Sequence, residues 1–196
     1  MSATEPTHRR PVLLLGVTGM LGGAIARHLL ANSGDDGSEI RGVVRPGGYG
    51  DEKAEAVSEL TDAGLKTFEA DLSDGETLAD ALDGVDTVVS ALQGLGSVIV
   101  DAQTRVLRAS QRAGVRRMIP SDFSVDLYRV PPGEKRNFDL RRTFAALLDG
   151  TEVYATSILN GMFTDMLTMG YPLMKADEGV FEVWGDGEVA LDMTSV

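Results

Sequence analysis

Three glycines, Gly16, Gly19 and Gly22, recur at three-residue intervals in the stretch 11–30, PVLLLGVTGMLGGAIARHLL. This residue type at this spacing suits one kind of chemistry. Backbone N–H groups can hold phosphate where a Cβ would otherwise stand in the way. The flanking elements decide whether the pattern has that meaning. The apolar run 12–15 reads as a strand buried on both faces, and Ile25, Leu29 and Leu30 follow at helical spacing. In such a strand–turn–helix unit the first glycine permits the tight turn, the second the approach of a pyrophosphate, and the third close packing of the helix on the sheet. Thr18, Met20 and Leu21 fill the same turn. The helix start there offers free N–H donors and a partial positive charge. The expectation is a dinucleotide site, the alternative a tight turn with no ligand.

The elements that must position this turn repeat along the chain. Strands are expected at 39–45, 65–71, 85–92, 115–120 and 152–159, and helices at 51–63, 75–82, 97–113 and 137–148. Strands alternating with helices predict an α/β fold of Rossmann type, with a doubly wound parallel sheet and right-handed crossovers. Ligands bind such sheets at the carboxyl ends of the strands. Arg45 ends the second strand, where the ribose 2′ position would lie. A guanidinium there suits a 2′-phosphate, which favours NADP over NAD. Lys53 adds a second positive charge nearby. Asp71 and Leu72 end the third strand near the adenine position, although a turn or cap aspartate reads equally well. Ala91 and Leu92 end the fourth among small residues, SALQG, which suit close backbone approach to a ribose.

Bulk properties remove other classes. The chain has 196 residues, 43% of them hydrophobic, enough for one domain with a real core. No segment nears the run of about 18 apolar residues that spans a membrane. Residues 1–10 read as a disordered tail with no secretory signal. Cysteine is absent, which excludes disulfides and thiol nucleophiles and fits a cytoplasmic location. The net charge of −12 argues against a nucleic-acid surface. The two histidines, His8 in the tail and His28 on the first helix, are poorly placed for catalysis, and no metal site is expected.

Taken with GVTGMLG at 16–22, VVR at 43–45, RMIPSDF at 117–123, Arg141-Arg142 and Asn160-Gly161-Met162-Phe163, the sequence resembles the NmrA-like and isoflavone-reductase-like branch of the atypical short-chain dehydrogenases. The resemblance covers nearly the whole chain. It implies NAD(P)H binding, and it implies that Ser121, Phe123 and Asn160 face the nicotinamide and the substrate pocket. Asp122 and Ser124 depart mildly from the family's usual Pro-Ser-Glu-Phe-Gly. The family's reductases also carry a lysine about one turn before the paired arginines. That position looks like Asn137 here, with Lys135 nearby. An asparagine donates hydrogen bonds but not a proton as an acid. Tyr-x-x-x-Lys is spelled twice, at Tyr49…Lys53 and Tyr171…Lys175, neither on the helix after the fifth strand. Tyr128 lies in the right loop without a lysine four residues on, leaving Tyr128, Lys135 and Asn137 as the catalytic candidates.

The expected organisation is a tail at 1–10, an NAD(P)-binding Rossmann domain at 11–160, and the start of a substrate lobe at 161–196. Family members normally continue further, so that lobe is expected to be short or truncated. A hairpin-like turn is expected around Gly185-Asp186-Gly187. Three functional readings compete. The first is an NADPH-dependent reductase of a small carbonyl or conjugated substrate. The second is a non-catalytic NADP(H) sensor acting on a protein partner. The third is a fragment that keeps the fold alone.

Overall fold

The computed structural model describes residues 11–33 and 38–168, then 174–175, 178–182, 186–188, 190 and 192–196. β1 (Val12–Leu15), β2 (Ile40–Val44), β3 (Lys66–Glu69), β4 (Thr87–Ser90), β5 (Arg117–Ile119) and β6 (Tyr154–Ala155) form one sheet. Its order is β3-β2-β1-β4-β5-β6, and every pairing is parallel. This is the doubly wound Rossmann-type arrangement expected from the alternating pattern.

The helices are α1 (Met20–Asn32), α2 (Asp51–Asp62), α3 (Ala79–Leu82), α4 (Gln103–Arg112) and α5 (Arg136–Asp149). Alternation along β1 sorts its side chains to two faces. Leu13 and Leu15 pack with Ala81, Leu82, Val106, Phe144 and Leu148 of α3, α4 and α5. Leu14 packs on the other face with Ala26 of α1 and Leu60 of α2. Both faces are thus covered, which is why β1 reads as an unbroken apolar run. Strand order reverses between β1 and β4, and their carboxyl ends open the crevice where such sheets take ligands.

Some expected elements differ in detail. The helix expected at 97–113 opens with a π-helical stretch, Ser97–Ala102, before α4. The fifth strand shrinks to Arg117–Ile119, because Pro120 has no N–H for the ladder. The sixth, expected at 152–159, shrinks with its only neighbour to Tyr154–Ala155.

Beyond the sheet, β7 (Met162–Phe163) pairs in parallel with Met193–Thr194, and α6 (Asp165–Thr168) follows it. β8 (Met174–Lys175) and β9 (Val180–Phe181) form an antiparallel pair, and Met193–Thr194 is β10. The hairpin expected around 185–187 and the Tyr171 of the second Tyr-x-x-x-Lys fall wholly or partly outside the described residues. Among the described residues, no helix is long and apolar enough to cross a membrane.

Candidate functional site

The three glycines of the turn have three different reasons to be glycine. Gly16 has φ +82°, and a Cβ there would lie 2.6 Å from the carbonyl oxygen of Ala91. It therefore allows both the turn and the contact between the ends of β1 and β4. A Cβ on Gly22 would lie 2.1 Å from the Gly16 carbonyl oxygen, so α1 seats directly on the turn. Gly19 is different. It is exposed, and the nearest atom to a Cβ is the Gly16 carbonyl oxygen at 3.3 Å. The protein's own backbone crowds this position less than the other two, and its outer side is open to whatever approaches from outside.

The start of α1 is equipped for an anion. Gly19 is its N-cap and offers no side-chain cap, and no acidic residue occupies the first turn. The Gly19 N–H donates to the Gly16 carbonyl at 3.0 Å, which leaves the first-turn amides at Met20 and Leu21 beyond the reach of intrahelical acceptors. Thr18 is half-buried in the same turn. A cradle that Cβ atoms would fill, set on an uncapped helix start, fits a dinucleotide pyrophosphate.

Arg45 leaves the end of β2 exposed. Its Cζ lies 5.4 Å from the centre of the Tyr49 ring, and its N–H donates to the Tyr49 hydroxyl at 3.0 Å. Arg45, Tyr49 and Lys53 line an open pocket of about 590 Å³ with Gly48, Gly50, Asp51 and Glu52. The pocket therefore gathers both cations read from the sequence, together with Tyr49 of the first Tyr-x-x-x-Lys spelling.

Asp71 serves its own turn. Its Oδ1 accepts the Ser73 N–H at 2.8 Å, and its carbonyl accepts from Thr77 Oγ1. The Ser73 hydrogen bonds, helped by the Arg105 charge, hold its carboxyl below the ordinary range. Leu72 packs against the core, and Ala91 and Leu92 are half-buried after β4. The Ala91 N–H donates to Leu15 at 3.0 Å, which extends the β1–β4 ladder to the glycine turn.

The loop after β5 is fixed from several directions. Ser121 is 4% exposed. Its hydroxyl donates to the Leu92 carbonyl, and its N–H donates to Gln103 Oε1 at 3.1 Å. Gln103, 1% exposed, also donates to the Ile99 carbonyl at 2.6 Å. The sequence reading missed Gln103; the signal was an amide at a core-facing position among Ile99, Val106 and Leu107. Arg141 Nε donates to the carbonyls of Ser121 and Asp122 at 3.1 and 2.9 Å. Arg142 donates to the carbonyls of Leu127 and Val130 and pairs with Asp139 at 2.8 Å. The paired arginines thus hold the loop down. Phe123 has φ +25°, the one positive value outside glycine among the described residues, and it packs against the α1–α2 face. Such backbone persists only where its surroundings enforce it.

Asp122 is 2% exposed, and its Oδ2 has no hydrogen-bond partner. Burial pushes its carboxyl up, against the opposing pull of the Ser157 hydroxyl and the Arg141 charge. Burial likewise pushes Arg141 down. Asn160 is half-buried, its Oδ1 is also unpartnered, and its Nδ2 donates weakly to the Gly161 carbonyl at 3.4 Å.

The three catalytic candidates lie on the surface of this region. Tyr128 is 57% exposed, and partial burial with the nearby Asp122 and Asp149 charges pushes its phenol above the ordinary range. That is the wrong direction for an acid working near neutral pH. Lys135 is the N-cap of α5, and Asn137 is exposed in its first turn, its carbonyl accepting from Arg141 at 3.0 Å. No described contact joins the three.

Comparison with known proteins places this geometry. The model of the NmrA-like family matches residues 8–181. The chain belongs to the NmrA-like family. Pinoresinol reductase 1 of Arabidopsis thaliana is 29% identical over 205 residues, covering 96% of this chain and 62% of the relative. An isoflavone reductase homolog of Zea mays is 34% identical over 126 residues, 63% of this chain and 38% of the relative. Among solved structures, AtPrR2 with NADP+ and (+)pinoresinol superposes with a TM-score of 0.77 at 27% identity, covering 95% of this chain and 62% of that one. Isoflavone reductase shares the fold with a TM-score of 0.78 at 23% identity. This NmrA-like chain therefore spans about 62% of the length of the pinoresinol reductases it matches.

Proposed function

We propose that this chain is an NADPH-dependent reductase acting on a small carbonyl or conjugated substrate. The observation that carries the reading is the contrast within the glycine turn. Gly16 and Gly22 are forced by the protein's own backbone, whereas Gly19 faces outward over an uncapped helix start. The protein's own packing requires glycine far more strongly at the first two positions than at the third, where the ligand would add the rest of the demand. The reductases named among the relatives support the same class of chemistry.

When bound, NADPH supplies a hydride. The chain's residues do the rest. The turn at 16–22 would hold the pyrophosphate on backbone amides, and Arg45 with Lys53 would hold the 2′-phosphate. Asp71 and Leu72 would flank the adenine, and Ala91 and Leu92 the ribose. The 121–123 segment, clamped by Gln103 and Arg141, would form the floor beside the nicotinamide, with Asn160 across from it. Proton delivery falls to Tyr128, Lys135, or water held at Asn137. Burial and the Asp122 and Asp149 charges push the Tyr128 phenol up, away from neutral-pH acid chemistry, so acceptors that delocalise charge should react better than simple ketones. A reducing cytoplasm suits a cysteine-free chain of this kind.

The test is NADPH consumption, followed by loss of reduced-nicotinamide absorbance, across quinones, enones and ketones. Turnover favouring the conjugated acceptors supports the reading. NADPH binding without turnover on any acceptor contradicts the reductase assignment.

A further inference from the structure

Tyr49 and Lys53 spell a catalytic-looking pair, yet they sit beside β2, far along the sheet from the loop after β5. Their surroundings point elsewhere. The segment between β2 and α2 contains Gly47 and Gly48, both with positive φ, and no heavy atom lies within 4 Å of a Cβ built on either. Little else packs there, so a side chain projecting from this segment has few neighbours to fix it. Tyr49 supplies what is missing. Its hydroxyl accepts the Arg45 N–H at 3.0 Å, and its ring lies under the Arg45 guanidinium, 5.4 Å from Cζ to centroid. These contacts use the backbone and one face of Arg45. The edge of the guanidinium, which carries its fork of donors, is left for a ligand.

The helix start cannot do this work alone. Asp51 and Glu52 occupy the first turn of α2 and offset its positive end. Anion recognition in this pocket must come from side-chain cations, Arg45 and Lys53.

We propose that Tyr49 is a positioning residue that sets the preference for a 2′-phosphorylated ligand by holding Arg45 in its binding geometry. This rests on the NADPH reading and deepens it. A guanidinium fixed before binding loses less freedom when it pairs with phosphate. Stacking on an exposed aromatic ring corresponds to about a two- to fivefold change in affinity.

The test is calorimetric titration with 2′,5′-ADP and with 5′-AMP of the unmutated chain, Tyr49→Phe, Tyr49→Ala, Arg45→Ala and the Arg45→Ala/Tyr49→Ala double variant. Tyr49 lies in a surface loop, and an unchanged melting temperature verifies each fold. Tyr49→Phe keeps the ring and should bind 2′,5′-ADP within about twofold of the unmutated chain, since water can replace the exposed hydroxyl. Tyr49→Ala should lose about two- to fivefold. Arg45→Ala should lose about ten- to a hundredfold. In the Arg45→Ala background, Tyr49→Ala should cost nothing more, and 5′-AMP affinity should stay constant throughout. If Arg45→Ala weakens 2′,5′-ADP binding while Tyr49→Ala does not, the positioning role is overturned and the cofactor reading survives. A Tyr49→Ala loss that persists without Arg45 also overturns it, since the ring would then touch the ligand itself. Unchanged affinity in Arg45→Ala would overturn both.

Discussion

The turn after β1 commits almost no side chain to its own structure, whereas the loop after β5 is held by several. At 16–22 the glycines bring backbone to backbone, and the start of α1 keeps its donors facing outward. At 121–142, Ser121, Asp139, Arg141 and Arg142, with Gln103 of α4, all bond to the loop or to one another. The first region is unfinished without a partner. The second is a floor held by its own hydrogen bonds, apart from the unpartnered Asp122 Oδ2, with three polar groups at its exposed edge. Recognition of a cofactor is therefore well provided for, and proton chemistry is thinly provided for.

The largest effect should come from confusing the two glycine roles. Gly22→Ala drives a Cβ into the Gly16 carbonyl, so unfolding by urea should show a loss of about 1–3 kcal/mol or more, with binding lost as well. Gly19→Val should cost less stability than Gly22→Ala, because its Cβ meets the Gly16 carbonyl at 3.3 Å, a close contact that a small shift relieves, yet it should lower NADPH affinity on the order of a hundredfold. If both variants lose stability equally, Gly19 is structural like its neighbours and the contrast within the turn fails.

A second test addresses the thin side of the comparison. Asn137→Lys places an ammonium in the first turn of α5, where the family resemblance expects one. Ketone reduction should rise by about tenfold, part of what a positioned acid supplies. No change in Asn137→Lys, together with loss of activity in Tyr128→Phe, would move the proton donor to Tyr128.

The smallest effect concerns the floor itself. Burial raises the pKa of Asp122 in the folded state above the unfolded value of about 3.9. The folded state then holds that proton longer than the unfolded chain does. The stability it contributes is fully present below about pH 4 and is lost as pH rises through the raised pKa. Asp122→Asn should lack this downward slope when urea unfolding is compared across pH. Identical pH dependence in the two proteins would mean that the carboxyl is not titrating in a buried site.

Much of this was legible in the sequence. The buried strand 12–15 and the alternation of apolar runs with helical periods specify the sheet, because a strand covered on both faces needs an unbroken apolar run. The glycine spacing located the turn, and Arg45 located the pocket. Other features depend on contacts distant along the chain. Gln103 binds Ser121 across 18 residues, and Arg41, buried in β2, donates to the carbonyls of Ala81 and Asp83. Neither interaction leaves a local pattern. Tyr49 stood in the sequence as part of a Tyr-x-x-x-Lys spelling, and its contacts with Arg45 appear only in the fold. The shortened β6 reflects the limits of pairing at a sheet edge, which propensity does not encode.

The central claim is that the chain binds a phosphorylated dinucleotide through the glycine turn and the Arg45 pocket. Calorimetric titration of the unmutated chain with NADPH and with NADH tests it most directly. NADPH should bind about tenfold to a hundredfold more tightly than NADH, the worth of one guanidinium–phosphate pair. Equal affinity for the two would reduce Arg45 to a surface residue, and binding of neither would contradict the claim entirely.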